Sequence, residues 1–150
     1  MSRSYTFDAA LELKDAGLVA ADAAGTIDAS PKVVDLGSDT AAFSGVAIFD
    51  VSAIEIASNT ELYEIIIQGS NTADFSGAKE NLAAITLGAT EVRGGGAADS
   101  VIGRYELPFF NEQAGVKYRY LRVYTNVTGD IATGINFTAR IARANMAMPA

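Results

Sequence analysis

The amino-acid sequence predicts an all-β fold, an antiparallel two-sheet β-sandwich of about eight strands behind an extended N-terminal arm. Three observations carry this expectation. Apolar residues recur at every second position in several runs, the period of a half-buried strand. Glycine, proline, asparagine or aspartate separates the runs. No stretch holds a helical period beyond about two turns, so the βαβ alternation of a parallel sheet is missing.

The elements follow in order. Residues 1–30 are rich in alanine and aspartate, and Leu11 and Leu13 alternate with Glu12 and Lys14. That pattern reads as an arm, or an edge strand followed by a loop. "PKVVDLG" (31–37) ends an apolar pair in glycine. "GVAIFDVSAIEI" (45–56) is rich in β-branched residues, with a bend expected near Ser52. In "LYEIIIQG" (62–69), Tyr63, Ile65 and Ile67 share one face. "LAAITLG" (82–88) is shorter. "GRYELPFF" (103–110) sets Tyr105, Leu107 and Phe109 against Arg104, Glu106 and Pro108. Its proline points to an edge strand or a strand end. "KYRYLRVYTNV" (117–127) directs Leu121 and Val123 to the core and Tyr118, Tyr120, Arg122 and Tyr124 outward. In 131–143, Ile131, Ile135, Phe137, Ala139 and Ile141 form the apolar set, and a tail (144–150) closes the chain. Eight short strands in 150 residues fit one domain, and the jelly roll is the natural eight-strand member of the class.

Composition narrows the chemistry. There is no cysteine, histidine or tryptophan. Disulfides, thiolate nucleophiles and Ser-His-Asp or Cys-His catalysis are therefore excluded. An enzyme would need paired carboxylates, and Glu55, Glu64 and Glu106 sit in strand candidates able to meet across a sheet. The glycine triplet in "EVRGGGAADS" (91–100) has no lysine after it and opens no helix, so it reads as a surface loop rather than a phosphate cradle. No apolar run approaches the roughly 20 residues of a membrane span, and the start has no secretory h-region. No membrane association is expected.

Charge is unevenly placed. Residues 1–103 carry 5 basic and 15 acidic side chains, and 104–150 carry 6 and 3, which gives −10 and +3 and the overall −7. The basic, tyrosine-rich "KYRYLRVY" resembles a single-strand nucleic-acid platform in type. The acidic remainder repels a polyanion, and tyrosine is a common strand residue that keeps one polar end wet. A structural strand or protein interface is the expected role. The interface candidates are Tyr5 and Phe7 on the arm, with Arg104, Lys117, Arg119 and Arg122 on the basic strands.

Taken together, "VVDLG" (33–37), "VSAIEIAS" (51–58), "LYEIIIQGSNTADF" (62–75), "NLAAITLGATEV" (81–92) and "GRYELPFFNEQAGVKYRYLRVYTNVTGDIATGINFTARI" (103–141) resemble a known family. They are similar to the capsid cement, or decoration, proteins of tailed bacteriophages, of the Bordetella podovirus type. The resemblance spans roughly residues 30–143. It implies a jelly-roll structural protein on the outer surface of the virion capsid, made in the bacterial cytoplasm. Its implied partners are the phage major capsid protein and itself, as dimer or trimer, with no nucleic acid, no cofactor and no catalysis. Two other classes stay open on the residues alone: a sandwich binding module (lectin-like, or part of a tail or receptor-binding assembly) and a carboxylate enzyme.

Overall fold

The computed structural model describes residues 8–94 and 97–143. A 3-10 turn (Ala9–Leu11) leads into six short strands: β1 (Glu12–Lys14), β2 (Leu18–Val19), β3 (Ala23–Ala24), β4 (Thr26–Ile27), β5 (Ser30–Pro31) and β6 (Val34–Asp35). Longer ones follow: β7 (Ser44–Ile54), β8 (Leu62–Ser70), β9 (Lys79–Gly88) and β10 (Gly103–Phe110). A small hairpin, β11 (Glu112–Gln113) and β12 (Val116–Lys117), precedes β13 (Tyr120–Thr128) and β14 (Ile135–Arg143).

Two five-stranded antiparallel sheets result, beside the two-stranded pairs β4-β5 and β11-β12, and the all-β sandwich is as expected. The first runs β1-β14-β7-β10, with β2 also on β14; the second runs β3-β13-β8-β9, with β6 also on β13. Only β8 and β9 among the long strands form a hairpin within one sheet; the chain changes sheets after β7, β9, β10 and β13. The N-terminal segment is built in more tightly than the expected loose loop: it edges the first sheet and then the second.

Alternation explains which face each strand buries. Ile135, Phe137, Ala139 and Ile141 of β14 point inward, and Leu121 and Val123 of β13 meet them from the other sheet. Phe49 and Phe137 stack edge to face, with centroids 6.0 Å apart at 87°. Each buried Ile, Phe, Leu or Val side chain of this set contributes roughly 1.5–3 kcal/mol. The irregularity near Ser52 is a bulge. Asn136 pairs with Ala53 and Phe137 with Val51, so Ser52 has no partner on β14. The extra residue turns Val51 and Ile54 to the same inward side while Ser52 and Ala53 stay exposed.

Lys14 is the unusual member of the interior. Its Nζ donates to the carbonyls of Asp15, Gly17 and Phe137 (2.9, 2.9 and 2.8 Å) and lies 4.6 Å from the Phe137 ring centroid. Burial lowers its pKa, against the pull of Asp15. The ammonium thereby ties β1, the loop after it and β14 together.

Candidate interaction surfaces

Tyr5 and Phe7 lie outside the described residues. The other four interface candidates do not share one face. Arg104 is on β10 of the first sheet, whereas Arg122 is on β13 of the second. Three of the four cations are already engaged within the chain. Arg104 Nε and Nη2 donate to the Asp50 carboxylate at 2.8 and 3.2 Å, with Arg140 Nη1 at 3.4 Å from the same group. Arg119 grips Asp35 in the same two-pronged way, at 2.7 and 3.0 Å. That hydrogen bond, helped by the Gly37 amide, holds Asp35 down at about 2. Exposed pairs of this kind are screened by solvent and add little stability, but they offset the charge an incoming partner would meet.

Arg122 is committed differently. Its guanidinium lies 4.3 Å from the Phe75 ring centroid and 5.2 Å from that of Tyr124, and its Nε donates to Gln68 at 2.9 Å. Gln68 in turn donates to Asn81. Phe75 is buried and is delivered by the loop after β8, which folds back over the outer face of the second sheet. Burial lowers the Arg122 pKa. The flat faces a nucleic-acid base would stack on are thus occupied by each other. Lys117 is the exception: exposed, and without an ion pair among the described residues.

Tyr118 corrects the outward assignment. It is buried, because β13 begins only at Tyr120 and the preceding segment follows a different path. The Tyr118 amide donates to the Asn111 carbonyl at 2.9 Å, and the Asn111 side chain donates back to the Tyr118 carbonyl at 3.1 Å. A Cβ on Gly69 would lie 2.8 Å from the Tyr118 Cβ, so the ring's approach depends on glycine there.

The carboxylates raised by the sequence also stay apart. Glu64 lies on β8 in the second sheet and Glu106 on β10 in the first. Glu55, just past β7, accepts from the backbone amides of Ala132, Thr133 and Gly134 at 2.7–3.1 Å. These bonds, Gly134 first, pull its pKa down. Fully buried Glu61 accepts from Ser58 and Thr60 amides at 2.7 and 3.1 Å. Burial alone would raise its pKa, but the amides outweigh it and the net shift is downward. Among the described residues no group of three or more acidic side chains is placed to hold a metal ion. No helix among them is long and apolar enough to cross a membrane.

A pH dependence follows from the two glutamates. Both have folded pKa values below the ordinary 4.5, so their stabilisation is present above that value and lost as pH falls through the folded values. Thermal melts between pH 7 and pH 3 are expected to show a falling melting temperature in acid. The fall should be smaller in Glu55→Gln and Glu61→Gln. An unchanged acid limb in both variants would mean that the amides do not favour the ionised forms.

No protein-family model matches the chain, and no curated protein does.

Proposed function

We propose that the chain is a structural virion protein that binds the outside of a phage capsid lattice and stabilises the head by bridging major capsid subunits. The strand order carries this reading. Positions β1/β2-β14-β7-β10 face β3/β6-β13-β8-β9, eight strand positions in two antiparallel sheets. We read that order as a jelly roll, the fold the resemblance to cement proteins implies. A stiff sandwich carried in many copies on a symmetric shell turns modest contacts into avidity.

With the arginines paired internally, the capsid-facing contacts are better sought at one end of the sandwich. There the β11–β12 hairpin presents Val116 and Lys117 directly after Phe110, all exposed. Purified protein mixed with undecorated heads of the cognate phage is expected to give added density at symmetry positions outside the shell. Lys117→Glu should weaken it. Heads that stay bare would sink the proposal.

The lectin-like reading has one observation in its favour, a groove of about 330 Å³ lined by Asp22, Leu62, Glu64, Thr86, Asn126 and Thr128. Asp22 and Glu64 already accept from the Val127 amide and Asn126 side chain (2.7 and 3.0 Å). Saccharide binding by the isolated protein, with no head binding, would favour it over the capsid role.

A further inference from the structure

The four sheet edges are not treated alike. On one side of the sandwich the edges are β1 and β2, and β3 and β6, pieces of two or three residues too short to template a partner. On the other side lie β10 and β9. The Asn111 amide donates to the Phe43 carbonyl at 3.0 Å, continuing the register in which Phe109 pairs with Gly45. Odd positions of β10 therefore bond to β7, and even positions aim their backbone groups at the free edge. Those positions include charged Arg104 and Glu106, and Pro108, which has no N–H to offer.

The Asn81–Gly88 part of β9 has neither the charges nor the proline. The Ala89 amide donates to the Glu61 carbonyl at 3.0 Å, so from Ala83 to Ala89 the odd positions bond to β8 and the even ones face outward; a bulge at Leu82 ends this parity toward Lys79. Gly88 exchanges both of its outward bonds with Ser100, at 3.0 Å each. Ala84 and Thr86 have side chains exposed, and no strand among the described residues pairs with their side of β9. Asn81–Gly88 contains neither proline nor a charged residue.

We propose that this edge pairs with the same edge of a second copy of the chain, antiparallel about Ile85. Parity allows the symmetric solution. Ala84 bonds to the partner's Thr86, Thr86 bonds to the partner's Ala84, and the two Ile85 residues form the close non-hydrogen-bonded pair between them. The eight neutral residues Asn81–Gly88 let two chains of net charge −7 approach along this edge. Apolar groups along this margin gain cover too: Leu82, Ile85, Tyr105 and Leu107 are only partly buried, and Val101 and Ile102 are 69% and 61% exposed. The two second sheets would become one continuous sheet. This inference does not depend on the capsid reading.

The test uses the full chain without phage heads. Sedimentation at about 100 µM is expected to give a dimer, in the range where weak interfaces are populated. Thr86→Pro removes only an outward N–H, and it should cut the dimer fraction at least tenfold with circular dichroism unchanged. Ile85→Cys, the only thiol in the variant chain, should cross-link to the partner's identical residue under mild oxidation, since that pair type suits a disulfide. Hydrogen exchange at Ala84 and Thr86 should slow as concentration rises. A monomer at every concentration, or protection independent of concentration, would overturn the proposal, the latter because another segment of the same chain would hold the edge. A dimer untouched by Thr86→Pro and without cross-linking would overturn it as well.

Discussion

Phe137→Ala is expected to cost about 4 kcal/mol and to lower the melting temperature by roughly 12 °C, within the usual range for truncating a buried phenylalanine in a domain of this size. Phe137 is 1% exposed and sits where the sheets face each other. Its ring fills the space beside Phe49 and also forms the face over which Lys14 Nζ lies. Alanine leaves a cavity and takes away that face, while the Phe137 carbonyl still accepts from Nζ. Denaturant unfolding would measure the loss. Phe137→Leu, which keeps most of the volume, should lose roughly a third as much. Equal losses for the two variants would mean that the ring's shape, rather than the volume it fills, sets the stability there.

The second large effect is expected from Gly134→Ala, also about 4 kcal/mol, from combined backbone strain and steric overlap. Gly134 has φ +92, and an added Cβ would stand 2.0 Å from the Val19 carbonyl oxygen and 3.0 Å from Ala20 Cα. These are backbone atoms, so no side-chain rotation relieves the contact. The residue is also a junction, since its amide donates to Glu55 at 2.8 Å and its carbonyl accepts from the Glu55 amide at 3.0 Å. Pushing it away opens the Glu55 clasp and the pairing of β2 with β14 together. Gly94→Ala, with nothing within 4 Å of the added atom, serves as the control and should melt within about 1 °C of the parent. A Gly134→Ala chain that melts with the control would show that the loop shifts at little cost.

The long strands were legible because burial repeats every second residue, and β8, β10, β13 and β14 fall on the runs read from it. Strands of two residues have no period to read, so Leu18–Ser30 looked like loop although its strands β2 and β3 edge the two sheets. The interface candidates were chosen by charge type, and charge type does not show partners. Asp50 lies 54 residues from Arg104 and Asp35 lies 84 from Arg119. Lys14 escaped notice because its acceptors are backbone carbonyls, which every residue has. Glu61 had a usable signal: Ser58-Asn59-Thr60-Glu61 has the spacing of a capping box, and the glutamate reaches back to the Ser58 amide with no helix following.

The pairing of β1 with β14, which sets Glu12 opposite Arg140, has a consequence for how the chain comes to be folded. A ribosome delivers Glu12 early, yet its ladder partner emerges more than a hundred residues later. Until β14 is out of the exit tunnel, the N-terminal segment has nothing to zip onto and β7 lacks its central neighbour. Such dominance of distant pairings places folding in the millisecond-to-second range and defers it until β14 has left the exit tunnel. A nascent chain stalled before Ile135 is therefore expected to be protease-sensitive throughout, and one released after Arg143 to be resistant.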